Sequence, residues 1–423
     1  MIGMKVSFAS APGKILWIGG YSVIERPNVS FVTGVNKRVF AKFETLDSQK
    51  AIFIIPQFNA KVEAKVEGGQ IVFESGLSEE ERNAIKFVRS AAEFSLKYLI
   101  AKGKQVKGFC LTTVSDPAFA VNGGKSGLGS SAAVTVATVA SILNAYGFSI
   151  ESNKDNIHKI AQLAHSKAQG KVGSGFDVAA ATFGGHSYVR YSPSLIENIS
   201  EDANPKEILN LVETTWDYII RPLAMPRGFI PVIGNIVGES ASTSEMVKRV
   251  NAFKAANSEL YRKLMSEIND ANKAAIDALS EINKLAENEQ EKYKLVLEAV
   301  NNSKKVEGIE EEIKIFNDFK LAFNAGRLLT KKLGELSGVQ IESDEYSELI
   351  NETVNNGAFV AKLPGAGGGD SIVAICLSRA AKIRVESFWR SYKKKIEPLD
   401  LTISNEGVRH ETRKTFEEIL KLV

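Results

Sequence analysis

Residues 123–133, GGKSGLGSSAA, close a polar loop and run without a break into the apolar stretch AAVTVATVASILNAY. Glycines there leave backbone amides uncovered, and the helix that follows turns its amino end towards whatever the loop holds. A fold for this chain has to bring that junction to a place an anion can reach. Two familiar loops fail on spacing. The pattern G-x-x-x-x-G-K-[ST] takes Gly124, Lys125 and Ser126, but its first glycine falls on Phe119, so the backbone cannot turn round a phosphate there. The pattern G-x-G-x-x-[GA] takes Gly127, Gly129 and Ala132, with Glu151 near the place of its ribose-binding acid. It should begin as a strand ends, whereas GFCLTTV stops at Val114 and a polar loop of about a dozen residues intervenes. What remains is a bare helix amino terminus, with an ordinary loop and serine caps as the plain alternative.

The rest of the chain narrows the choice. At 423 residues it is long for one core, which points to two domains. A formal charge of +3 is too small and too evenly spread for nucleic acid, yet leaves room for a local basic pocket and a small anionic substrate. No apolar run approaches the ~20 residues of a membrane helix, and the start MIGMKVSFASAPGK carries no apolar core before a cleavage site. Cys110 and Cys376 each sit in an apolar strand-like run and read as buried free thiols of a reducing compartment, so a cytoplasmic protein is expected. His158, His165, His186 and His410 have no zinc spacing, and no G-x-S-x-G elbow suggests a hydrolase.

Periodicity predicts an α+β protein. Strands are expected at KVSFASA, VSFVTGV into RVFAKFE, AIFIIP, KVEAKVE, QIVFE and GFCLTTV, with a helix over 84–102. Helices follow over 129–146 and 154–168, then a strand at GGHSYVRY. The polar stretch 192–212 is expected to contain the domain join, dividing the chain into 1–200 and 201–423. Beyond it come the strands WDYIIRPLA and FIPVIGNIV, a helical region over 243–356 with breaks near 283 and 307, strands at AFVAKLP and SIVAICL, a helix over 379–394 and LDLTIS. Ser242 and Glu245 have capping-box spacing.

Four glycine-rich segments stand far apart: SAPGKILWIGGY at 10–21, GGKSGLGSSAA at 123–133, AQGKVGSGFDVAAATFGG at 168–185 and KLPGAGGGDS at 362–371. In this order, APGK, GLGSSAA and PGAGGGD resemble the three motifs of the GHMP kinases, a family that includes galactokinase, homoserine kinase and mevalonate kinase. The resemblance spans almost the whole chain. Within the family, GGY, KSGLGSSAA, AQGKVGSGFDVAAA and GESASTSE look most like the phosphomevalonate kinases of eukaryotes; mevalonate kinases usually carry Glu-His where this chain has Gly20 and Tyr21.

The resemblance implies a two-domain GHMP kinase-like α+β fold with the active site in the cleft between the domains. It implies ATP and Mg²⁺ as cofactors, with the phosphates held by Lys125, Ser126, Gly127, Leu128, Gly129, Ser130, Ser131 and Ala132, and the metal by Ser131. Asp177, in GSGFDVAAA, takes the place of the family's base or orienter, and Lys14 of the first motif should pair with it and offset charge on the transferring group. The acceptor implied is a small anion, 5-phosphomevalonate. A phosphomonoester has a second pKa of about 6, so its attacking oxygen is already ionised near neutral pH and Asp177 is expected mainly to orient Lys14 and the metal. Lys171, with Lys14 and more remotely Arg190, would supply cations for the acceptor. Ser174, Tyr21 and the hydroxyls of 240–243 would bind its remaining groups, although Ser242 could serve only as a helix cap. The third motif, with Gly367 and Gly368, would close over the site, or else form a turn between core strands. One departure is visible: many relatives place a glutamate eleven residues before the aspartate as a metal ligand, and Ser166 stands there, with His165 and Gln169 nearby. Another acceptor, such as mevalonate, and a non-catalytic metabolite sensor remain alternatives at this point, and the oligomeric state stays open.

Overall fold

The computed structural model describes residues 4–74, 76–121, 124–125, 127–200, 202–238 and 243–422. Ser126 and Ser242 lie outside them, as does the side chain of Lys125.

The first half forms a large twisted sheet with helices on one side. Its strands are β1 (Val6–Ile18), β2 (Ser30–Thr45), β3 (Lys50–Ile55), β4 (Ala60–Glu67), β5 (Gln70–Val72) and, after helix α1 (Glu79–Ala101), β6 (Phe109–Ser115). A small hairpin of β7 (Ala120–Val121) and β8 (Gly124–Lys125) leads to α2 (Ser130–Ala145), α3 (Lys154–Gln169) and α4 (Phe176–Phe183). Then come β9 (His186–Val189), α5 (Pro205–Glu213) and β10 (Ile219–Pro222). The long β2 organises the sheet, pairing along its length with β1, β6 and β9. Alanines 132, 133, 137 and 140 of α2 are buried, and their small size lets this helix lie close against β1 and β2 beneath α1 and α3.

The second half contains β11 (Ile230–Ile236), α6 (Thr243–Ala256), α7 (Ser258–Asn288), α8 (Gln290–Asn301), α9 (Glu310–Ser337) and α10 (Asp344–Asn355). It continues with β12 (Val360–Lys362), β13 (Ser371–Cys376), α11 (Arg379–Ser391), β14 (Ile396–Pro398), β15 (Ile403–Ser404), β16 (Arg409–His410) and α12 (Arg413–Leu420). Strands β12, β13, β11 and β14 form an antiparallel sheet in that order.

The α+β architecture expected from periodicity is the one observed, with four differences. Strand β1 does not stop before the first motif but runs through Ala11-Pro12-Gly13-Lys14, because a register shift between Pro12 and Lys14 absorbs the proline as a bulge. The stretch 192–212 holds helix α5, capped by Asn204 and Glu207 with Pro205 in its first turn. The helix expected to break near 283 continues to Asn288. Asn283 uses its side chain to donate to the Ala224 carbonyl at 2.8 Å, and Leu279, Ile282, Leu285 and Ala286 stay buried on one face. The break expected near 307 is observed at 302–309, and further breaks fall at 257, 289 and 338–343.

The large sheet is also not confined to residues 1–200. Strand β10 pairs with β9, β15 with β2, and β16 with β1. Ser10 donates to Glu411 at 2.7 Å, and buried Arg38 donates to the Ser10 side chain and to the Gly407 carbonyl at 2.6 Å in both cases. The chain therefore leaves the first sheet after Pro222 and returns to it at Ile403.

Candidate active site

The bulge in β1 aims Lys14 across the loop that precedes α2. Its backbone N–H donates to the Leu128 carbonyl at 2.9 Å, and its Nζ to the Gly127 carbonyl at 2.7 Å. Gly13 makes this approach possible: a Cβ there would meet the Leu128 oxygen at 3.1 Å. Gly127 and Gly129 have φ of 70° and 77°, a left-handed backbone that strains any residue with a side chain. Gly129 is the N-cap of α2 and no side chain caps that end, so the first-turn amides are free to hold an anion. Leu128 and Ala132 are buried, while Ser130 and Ser131 are half-buried at the mouth. Burial lowers the pKa of the Lys14 ammonium, and Asp177 opposes that shift by raising it.

Asp177 occupies the first turn of α4, a helix whose eight residues are too few to show a period in sequence. Its Oδ1 accepts from the Val178 amide at 2.9 Å, and its Oδ2 lies 4.0 Å from Nε2 of His165. The expected ion pair with Lys14 is not formed. The Lys14 ammonium sits instead on the Gly127 carbonyl, 5.5 Å above the Phe176 ring, and Asp177 acts on it through space. His165, which spacing dismissed, is the residue that bridges the site: its Nε2 lies 3.1 Å from Ser131 Oγ and 3.3 Å from Gln169 Nε2.

The third motif reaches the same place from the second sheet. A Cβ on Gly20 would strike the Gly365 carbonyl at 2.8 Å, and one on Gly367 the Ile341 carbonyl at 2.2 Å. The Gly368 amide donates to that same Ile341 oxygen. Ser371, buried at the start of β13, has its Oγ 3.7 Å from where a Gly127 Cβ would stand, so the first, second and third motifs converge. Nothing in the spacing of Ser371 singled it out.

Facing this cradle, Lys171 donates to Ser244 Oγ at 3.3 Å, which brings the loop before α4 to the start of α6. Ser174 is half-buried in that loop, and its carbonyl accepts from Tyr188. Two residues expected on the acceptor are engaged elsewhere. Tyr21, buried and at φ 54°, donates its hydroxyl to the Ala366 carbonyl at 3.1 Å and packs with Met246 and Val250 of α6. Arg190 spends its guanidinium on backbone, donating to Ile24 O and, at 2.7 Å, to Gly173 O. It ties the segment at Ile24 to the loop before α4.

The bare amino end of α2 and the glycines before it fit a chain of phosphates. Among the described residues no group of three or more His, Cys, Asp or Glu could hold a metal. That suits Mg²⁺ in this setting, which is held by one or two protein oxygens together with substrate phosphates. The Ser131 hydroxyl at the mouth of the cradle is of the right chemistry.

A helix-terminus phosphate cradle, a lysine fixed on its carbonyls and an acid in the first turn of α4 define a kinase of small molecules. The chain belongs to the GHMP kinases: the family's N-terminal domain matches residues 87–185 and its C-terminal domain residues 307–395. The first stretch carries α2, α3 and α4; the second carries the third motif. The chain is 28% identical to the peroxisomal phosphomevalonate kinase of Arabidopsis thaliana over 91% of its own length and 92% of the relative's. It is 29% identical to the phosphomevalonate kinase of Saccharolobus solfataricus, covering 86% and 89% of the two chains. In fold it is similar to the Streptococcus pneumoniae phosphomevalonate kinase solved with phosphomevalonate and AMPPNP, with a TM-score of 0.69 at 17% identity over 94% and 99% of the chains.

Proposed function

We propose that this protein transfers the γ-phosphoryl group of ATP to 5-phosphomevalonate, giving 5-diphosphomevalonate and ADP in isoprenoid synthesis. The observation that carries the phosphotransferase reading is the meeting of three distant glycine segments at the amino end of α2, with Lys14 seated on the Gly127 carbonyl. The acceptor is supported by the phosphomevalonate kinases among the relatives and by the cation of Lys171 in the loop before α4, beside Ser244.

In the reaction an acceptor phosphate oxygen forms a bond to the γ-phosphorus as the bond to the β,γ-bridging oxygen breaks, and ADP departs with that electron pair. The first-turn amides of α2 and the Lys14 ammonium stabilise charge on the phosphates during transfer. Ser131 is the residue that would hold Mg²⁺, which supplies further charge neutralisation to the β- and γ-phosphates. Because the acceptor oxygen is already ionised near neutral pH, Asp177 needs to remove no proton and keeps the field around Lys14 and the metal in place. Lys171 and Ser244 contact the acceptor's anionic end, and Ser174 lines the same loop.

We place the reaction in the cytoplasm, on the strength of two free thiols. Among the described residues no helix is long and apolar enough to cross a membrane.

A coupled ADP-release assay with Mg·ATP and, in parallel, mevalonate, 5-phosphomevalonate and 3-phosphomevalonate tests the proposal. Turnover confined to 5-phosphomevalonate and lost in Lys14→Met/Asp177→Asn is the expected result. Turnover with mevalonate instead would overturn the acceptor, and silence with all three would overturn the reaction.

A further inference from the structure

A serine that binds Mg²⁺ as a neutral hydroxyl donates an oxygen lone pair to the metal and must send its own proton elsewhere. An acceptor for that proton fixes which way the lone pairs face, and such outer partners are part of how a metal site is built. Ser131 is the metal-side residue of this cradle. Its carbonyl accepts from Thr135 Oγ1 at 2.8 Å, and its hydroxyl lies 3.1 Å from His165 Nε2.

His165 is held rigidly for this task. It sits in α3 at 5% exposure, and its ring stacks on Phe87 with centroids 5.3 Å apart and 28° between planes. Gln169, one turn further along α3, presents its amide nitrogen 3.3 Å from the same Nε2. Two donors thus converge on one ring nitrogen, which is the arrangement of an unprotonated acceptor. A protonated Nε2 would instead donate to the Ser131 oxygen, taking one of its two lone pairs and leaving the hydroxyl hydrogen unplaced. The third neighbour, Asp177 Oδ2 at 4.0 Å, lies beyond hydrogen-bond distance, so the ring spaces the serine of α2 from the acid of α4.

We propose that His165 is a positioning residue whose unprotonated Nε2 accepts a hydrogen bond from the Ser131 hydroxyl, turning the serine oxygen towards the metal of the bound nucleotide. The proposal rests on the kinase reading but not on the acceptor, so its test uses nucleotide and metal alone.

The measurement is the dissociation constant of AMPPNP for the full chain with and without Mn²⁺, together with the electron paramagnetic resonance spectrum of the bound Mn²⁺. His165→Phe keeps a ring on Phe87 and removes the acceptor. It is expected to lose about 10-fold or more of the affinity that metal adds, the scale for loss of an outer partner, and to bind metal-free AMPPNP as the parent does. His165→Gln, whose amide oxygen reaches near the Nε2 position, should recover most of the loss. Adding His165→Phe to Ser131→Ala should cost nothing further, because the serine through which the ring acts has gone. Should His165→Phe fail to fold, His165→Met carries the same expectation. Unchanged metal enhancement, equal loss with and without metal, no recovery by glutamine, or full additivity with Ser131→Ala would each overturn the proposal. An acceptor other than 5-phosphomevalonate in the turnover assay would leave it standing.

Discussion

Gly129→Ala puts a methyl group on the residue that caps the phosphate-binding helix. The backbone there is left-handed at φ 77°, which costs an alanine roughly 1–2 kcal/mol. The new Cβ would also lie 3.0 Å from Lys14 Cε and 3.2 Å from its Cγ, closer than side chains ordinarily approach, so the lysine has to give way by a few tenths of an ångström. That lysine is held by a 2.7 Å hydrogen bond to Gly127, and displacing it moves a cation fixed on the loop's carbonyl. Since a misplacement of ~1 Å can cost 10²-fold in rate, a fall in kcat of about 10- to 100-fold is expected. The far end of the same helix provides the control. Gly147 also has a positive φ, 89°, but a Cβ there would have nothing within 4 Å. Gly147→Ala should lose about the same 1–2 kcal/mol and keep its kcat. Stability would be read from urea midpoints and turnover from ADP release at saturating substrates. If Gly129→Ala keeps the parental kcat while its midpoint falls with that of Gly147→Ala, the placement of Lys14 does not limit the reaction. If both variants slow alike, the loss is global, and the argument fails in the other direction.

Lys14→Met should lower kcat by about 10²–10³-fold, the scale for removing one charge-stabilising donor, with little change in acceptor KM; steady-state ADP release checks both. Arg190→Met strips donors from the Ile24 and Gly173 carbonyls, and should raise the KM of the acceptor while leaving that of ATP in place, which parallel saturation curves would show. Burial holds His158 at about 3 and His186 at about 4 in the folded chain, against an ordinary 6.5. The unfolded chain therefore takes up these protons first. Stability is complete above 6.5 and is lost as pH falls towards about 4 for His186 and about 3 for His158, with a slope reaching about 1.4 kcal/mol per pH unit for each group. Urea midpoints across that window should fall less steeply in His158→Gln and His186→Asn.

The parts of the site set by backbone constraint were readable before the fold was known. Gly13, Gly127, Gly129 and Gly367 are glycines because a side chain would strain the chain or strike a carbonyl, and residue type alone records that demand. Helix α2 was equally plain, since an apolar run of its length is buried whatever surrounds it. What stayed hidden depended on partners remote in sequence. Proline and glycine in APGK read as breakers, yet pairing with β2 carries β1 through them as a bulge. Arg190 looked available to a substrate because nothing local says that Ile24 and Gly173 bring their carbonyls to it. Tyr21 looked like a ligand until α6 and Ala366 enclosed it. His165 looked idle since its value lies in an orientation imposed by Phe87 from α1 and in a serine thirty-four residues away.

The late return of β15 and β16 to the first sheet has a bearing on synthesis. While the ribosome is still adding the second half, β1 is paired with β2 but has no neighbour on its other edge along Ala9 and Ser10, and the charge of Arg38 has neither the Gly407 carbonyl nor the nearby Glu411 to settle on. The first sheet thus stays open at one flank until residues 403–410 can reach it. A truncated product ending before residue 403 would carry every glycine motif and still lack the two strands that complete the first sheet.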